Sequence, residues 1–205
     1  MTDDLNAFLK RIRLYSGMLL FTYAITHLLN HSLSIFSLEL ASNVKENYFR
    51  PIWKSQVGTI LLYGSFIAHV PLGLMTIVNR KSFKITLREW LQIIFIILAL
   101  FVFVQHIASM YLLTRTFDSE LPYEVLYSLV LFDPSKTAAS TIFYTLMLVF
   151  IWAHGSIGIH SALKFRIKSY SKNFQKFMVL YLGIPILGLF GFLGGRKRTK
   201  SGNVF

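Results

Sequence analysis

Six histidines (His27, His31, His69, His106, His154 and His160) all fall inside stretches apolar enough to enter a bilayer, and none falls in the loops between those stretches. An ionisable ring at such depth is costly, and a side chain held there is by default a functional candidate. Its chemistry is hydrogen bonding, proton transfer, or ligation of a metal through a neutral ring nitrogen. In "YAITHLLNHSLSIF", residues 23 to 36, His27 and His31 stand one helical turn apart. The chain has no cysteine, which excludes disulfides, thiolate zinc sites and iron–sulfur ligation within it. It also shows no catalytic acid, base or nucleophile constellation for a bond-breaking reaction.

The elements that must position these rings are membrane helices. Of 205 residues 54% are hydrophobic and only 15% charged, with a mean hydropathy of +0.55, far from the soluble balance. Five apolar segments approach or exceed the roughly 20 residues that cross a hydrocarbon core. They are 14–38, 57–79, 91–113, 138–163 and 177–192. The basic "LKRIRL" before the first could open a signal peptide, but the apolar run is too long and no small-residue cleavage site follows. The expectation is an all-α integral membrane bundle of five transmembrane helices forming one domain over 1–205, with "SNVKENYFRP" an ordinary loop. The acidic "TFDSELPYEVLYSLVLFDP" reads as a short interfacial helix ended by Pro134.

The net charge of +12 would suggest nucleic acid in a soluble domain. Here the basic residues punctuate spans, so no nucleic-acid partner is expected. Three stand at the N-terminus (Lys10, Arg11, Arg13), four in the second loop (Arg80, Lys81, Lys84, Arg88) and five in the fourth (Lys164, Arg166, Lys168, Lys172, Lys176). The first loop has three (Lys45, Arg50, Lys54) and the third two (Arg115, Lys136). The excess places the N-terminus in the cytoplasm. The tail "GGRKRTKSGNVF" disagrees: after five crossings it would lie outside, yet it is basic. Either it is an exception, or the last segment, interrupted by Pro185 and glycines, does not cross fully.

Depth groups the histidines. At about 1.5 Å per residue from the cytoplasmic end, His27 stands about 20 Å up the first span and His106 about 22 Å up the third. His69 stands about 15 Å up the second and His154 about 14 Å up the fourth, with His31 near about 26 Å and His160 near about 5 Å. Two pairs emerge at matched heights, His27 with His106 and His69 with His154. Facing imidazoles of this kind can hold a haem iron from both sides, and an iron with both axial positions filled mainly carries electrons. Two histidines at one depth with no carboxylate or thiolate make a poor closed zinc site. Small residues lie near each candidate ligand (Ala24, Ser65, Gly73, Ser109, Gly155, Gly158), as clearance for a porphyrin or as helix-packing devices. His31 is the rival of His27 for the outer iron, or with His160 a hydrogen-bonding neighbour of propionates, backbone or quinone. Arg13 and Ser16 could donate to a quinone carbonyl, and Arg166 could serve a propionate. Trp53, Trp90, Tyr111 and Trp152 read as lipid-facing bulk and interfacial belt.

On these residues the chain resembles the dihaem cytochrome b membrane subunits of the succinate dehydrogenase and fumarate reductase superfamily. "SFIAHVPLGL" places His69 at the family's helix II ligand, "HGSIGIH" places His154 at that of the fourth span, "YSGMLLFTYAITH" sets His27 ten residues after Gly17, and "FVQHIAS" supplies His106. Within the superfamily, "THLLNHSLSIFSLE", "GTILLYGSFIAH" and "HGSIGIH" are most similar to the membrane anchor at the N-terminus of certain bacterial class III adenylate cyclases. The resemblance implies two haem b groups, quinone as the exchangeable redox partner, and residence in the bacterial inner membrane, with a homodimer allowed. It implies a cytoplasmic cyclase as partner or, in a respiratory subunit, flavoprotein and iron–sulfur subunits. No cyclase, ferredoxin or flavoprotein sequence is present, so the output is expected from a separate protein or from a longer chain. A haem-free receptor or anchor, whose histidines only hydrogen-bond, is the remaining alternative.

Overall fold

A computed structural model describes residues 3–79, 86–116, 137–164, 166, 167, 169, 170, 173 and 183–189. Among them all regular structure is helical: α1 (Asp3–Leu33), α2 (Leu38–Val44), a π-helical turn (Lys45–Phe49), α3 (Arg50–Trp53), α4 (Gln56–Val78), α5 (Leu87–Thr116) and α6 (Thr137–Leu163). Four of these, α1, α4, α5 and α6, are long and apolar enough to cross a membrane. In hydrocarbon every backbone amide must find its partner internally, which a helix achieves within one segment. Many large apolar side chains face outward, Ile60, Ile67, Ile97, Phe101 and Val104 among them, as lipid contact requires.

α1 departs from its expected bounds at both ends. It begins at Asp3, because the polar stretch before the apolar run is itself helical, and it stops at Leu33 rather than 38. There the hydroxyl of Ser34 donates to the carbonyl of His31, and Ser37 caps a new helix by accepting from Leu40 N–H at 3.0 Å. The stretch read as an ordinary loop is therefore helical. It is anchored by buried Leu38 and Ala41, by a proline in the first turn of α3, and by Glu46, which pairs with Lys45 at 2.8 Å and Arg50 at 2.6 Å.

The long helices associate as two pairs, α1 along α4 and α5 along α6; between the pairs the backbones come closest where α1 meets α6. Phe21 of α1 packs on Trp152 of α6 with ring centroids 4.8 Å apart and the planes tilted by 41°. That contact is tight because Gly155 has no Cβ, which would lie 2.4 Å from the Phe21 ring. Phe66 of α4 reaches Phe103 of α5 across 5.5 Å. Trp152, expected to face lipid, is 7% exposed. Trp53 is likewise turned inward, donating to the Thr26 hydroxyl at 3.1 Å and standing edge-on to Tyr23, while Trp90 and Tyr111 are exposed.

Of the expected fifth span, residues 183–189 form a helix whose Gly188 lies against Leu28 of α1. The remainder of 177–192, the acidic segment before Pro134 and the basic tail lie outside the described residues.

Candidate functional site

Four of the six histidines meet in two pairs, and each pair joins the α1–α4 half to the α5–α6 half. His27 on α1 and His106 on α5 have ring centroids 6.3 Å apart. His69 on α4 and His154 on α6 are also 6.3 Å apart. The rings in each pair are strongly inclined, by 66° and 80° respectively. The same molecule supplies a yardstick: His27 and His31, joined directly through their Nε2 atoms at 3.1 Å, have centroids only 4.5 Å apart. Within neither cross-half pair is there a nitrogen–nitrogen hydrogen bond. A metal bridging two imidazoles, at about 2.0 Å from each nitrogen and about 1.1 Å more to each ring centre, separates the centroids by about 6 Å.

The surroundings of His69 and His154 fix their tautomers. A carbonyl oxygen only accepts, so His69 Nδ1 donates to Arg13 O at 3.0 Å, with Ser16 Oγ 3.3 Å away. Likewise His154 Nδ1 donates to Gln92 O at 3.2 Å. In both rings the proton is therefore on Nδ1 and Nε2 carries the free lone pair, the arrangement in which metal-bound histidines are held by their surroundings. Each partner carbonyl belongs to the neighbouring helix of the same half, α1 for His69 and α5 for His154, so the tight helix pairs set the ring orientations. Gly17 completes the first contact: a Cβ there would lie 2.7 Å from His69 Cε1. The helix I glycine of the sequence pattern thus makes room for a histidine of the second span.

The His27–His106 pair is held differently. His27 stacks on Tyr23 at 5.7 Å, and His106 meets the edge of Tyr144 at 5.9 Å. His106 Nδ1 is buried without a hydrogen-bond partner among the described residues, a state that costs about 1–3 kcal/mol. His31 sits on His27, as a rival or neighbour would. His160 is not with either pair; its Nδ1 lies 3.0 Å from the hydroxyl of Tyr170, which is 1% exposed.

Arg13 and Ser16, read as quinone donors, both stand against His69. Arg13 gives its carbonyl to the ring and its guanidinium to the Thr76 hydroxyl, while buried Ser16 donates to Arg13 O at 3.1 Å. Arg166 is exposed beyond the end of α6. Of the proposed clearance residues, Gly73 has nothing against it among the described residues, and Gly155 and Gly158 admit Phe21 and the Gln92 amide. Gln92, Tyr144 and Tyr170 carried no signal in the sequence: a backbone acceptor, a ring edge and a hydroxyl on distant helices leave no motif.

Among the described residues no three His, Cys, Asp or Glu side chains converge as a closed metal site would require. A haem needs only two protein ligands, since the porphyrin supplies the other four, and two pairs of spaced imidazoles fit that demand. No protein-family model, no curated protein and no solved structure matches this chain.

Proposed function

We propose that the chain is a multi-pass membrane cytochrome b that holds two haem b groups between paired histidines, exchanges electrons with a quinone, and serves as a redox-responsive anchor for a cytoplasmic partner such as an adenylate cyclase. The observation that carries this reading is the pair of 6.3 Å histidine separations, each spanning the two halves of the bundle. When bound, the haems would supply one-electron transfer.

The chain's own part is binding and orientation. His69 and His154 would hold the inner group, with Nδ1 donation to the Arg13 and Gln92 carbonyls presenting both Nε2 lone pairs. His27 and His106 would hold the outer one. Phe21 with Trp152 and Phe66 with Phe103 make the seam between the halves apolar. Arg13 retains guanidinium donors beyond the one given to Thr76, so a quinone carbonyl could be received beside His69. In this reading the N-terminus is cytoplasmic, the membrane is the bacterial inner membrane, and 177–192 supplies a fifth helix.

The test is haem stoichiometry of the detergent-purified protein by pyridine haemochrome, with the reduced-minus-oxidised spectrum. Two b-type haems per chain are expected. His69→Ala or His154→Ala should remove one and His27→Ala or His106→Ala the other. A colourless protein from haem-replete cells would sink the proposal, and two haems retained in all four variants would overturn the ligand assignment.

A further inference from the structure

Within the reading of the pairs as haem ligands, we infer that the two positions are unequal: the His69–His154 pair takes the first group, and His31 holds the His27 position back through its hydrogen bond to His27.

The asymmetry lies in the ring nitrogens. Both rings of the His69–His154 pair have Nδ1 committed to a backbone carbonyl, at 3.0 and 3.2 Å. Among the described residues neither Nε2 has a hydrogen-bond partner, so no bond to them must be broken before those atoms accept a metal. His27 differs, because its Nε2 is shared with Nε2 of His31 at 3.1 Å. One of these two nitrogens carries the proton of that bond. Whichever it is, His27 Nε2 becomes available only when the bond is given up and, in one of the two tautomers, after its proton has moved. Across the seam, His106 Nδ1 has no acceptor among the described residues, so none of them orients that ring as the carbonyls orient His69 and His154. The His27 position is thus both occupied and less pre-organised.

One neutral hydrogen bond sets the scale, about five-fold in an equilibrium constant. His31 is a positioning residue under this inference: it acts on the group only through His27. The inequality is one of affinity and not of spacing, since both pairs keep the same 6.3 Å separation.

The experiment uses single-site forms of the full chain, purified without haem and titrated with haemin, with the Soret band as readout. His106→Ala leaves only the His69–His154 pair, and His154→Ala leaves only the His27–His106 pair. The first should bind haemin about five-fold or more tighter than the second. Adding His31→Phe to the His154→Ala chain keeps a ring but removes both nitrogens, and should raise affinity by about five-fold. His31→Gln, which keeps an N–H donor, should not. Equal affinities in the two single-site chains, or no gain with His31→Phe while His31→Gln folds and binds, would overturn this inference and leave the haem reading standing. No binding by either chain would overturn both.

Discussion

Gly17→Ala tests whether the His69 ring is held where function needs it. A Cβ at position 17 would lie 2.7 Å from His69 Cε1 and 3.0 Å from Nδ1. Ordinary carbon contacts begin at about 3.5 Å, so the ring must retreat by about 0.8 Å or the helices must part. Nδ1 already stands 3.0 Å from the Arg13 carbonyl, and a retreat of that size carries it past the usual limit of about 3.2 Å. The lost hydrogen bond is worth about 1 kcal/mol and the overpacking about 1–3 kcal/mol. Replacing a helical glycine by alanine returns about 0.5–1 kcal/mol. The net expectation is a loss of about 1–3 kcal/mol, or about five- to hundred-fold in the affinity of the His69–His154 position for haem. Gly64→Ala is the control, since nothing among the described residues lies within 4 Å of its added methyl and it should stabilise slightly. The assay is thermal unfolding in detergent together with haemin titration of both variants in the His106→Ala chain. If Gly17→Ala matches Gly64→Ala in both readouts, the ring is not confined as argued.

The remaining predictions address the frame around the site. Gly155→Ala should lower thermal stability by about 1–3 kcal/mol, because its methyl would meet the Phe21 ring at 2.4 Å; Phe21→Leu in the same chain should recover part of the loss. Trp53→Phe should cost about 1 kcal/mol by deleting the bond to Thr26; in a double-mutant cycle with Thr26→Ala, which also removes the hydroxyl's own bond to Tyr23 O, the two losses should fall short of additive by about that amount. Burial raises the pKa of Glu46, but hydrogen bonds and charge from Lys45 and Arg50 outweigh it and leave the carboxyl below its ordinary value. A lowered folded-state value gives stability that is present above the ordinary carboxylate range and lost as pH falls through the lowered value. The difference in stability between wild type and Glu46→Gln, small at this partly exposed site, should therefore vanish in acid; a difference that grows in acid would refute it. Spin labels at Ile67→Cys and Phe101→Cys, both exposed and in an otherwise cysteine-free chain, should give a narrow distance distribution with haem bound and a broader one without.

Hydropathy located the spans of α4 and α5 closely, because a long apolar run has few other physical outcomes. It failed at both ends of α1. Residues 3–13 are helical but polar, so no hydropathy window sees them, and the stop at Leu33 is made by Ser34 and Ser37 bonding to backbone, an event of two side chains inside an apolar stretch. Residues 38–53 form helices through caps and one acidic side chain between two basic ones, signals too local to outweigh a loop-like composition. The histidine pairs were legible because rise per residue is constant and successive helices run antiparallel, so height along the bundle follows from counting. Their tautomers were not, since the acceptors are carbonyls of Arg13 and Gln92, and every residue has a carbonyl. Trp152 illustrates the limit of apolarity as a guide: facing lipid and facing Phe21 are equally hydrophobic, and only packing separates them.

The two-half arrangement bears on why the polar groups lie where they do. Within each half the helices pack closely and the histidine rings are tied to the backbone of their own half, His69 to α1 and His154 to α5. Across the seam the backbones approach mainly where α1 meets α6, and the remaining ring contacts are aromatic. Apolar side chains gain little by leaving lipid for one another, so a membrane seam is held by close packing and by specific polar or coordinate bonds. In this chain close packing is concentrated at Phe21, Trp152 and Gly155, while the paired imidazoles flank that contact along the bundle and leave a gap between their nitrogens. Groups that filled those gaps would act as the missing ties, each bonded once to either half. Under the proposed haem reading, the cofactor and the cross-brace of the bundle would be the same object, and its loss should loosen the seam between the two halves.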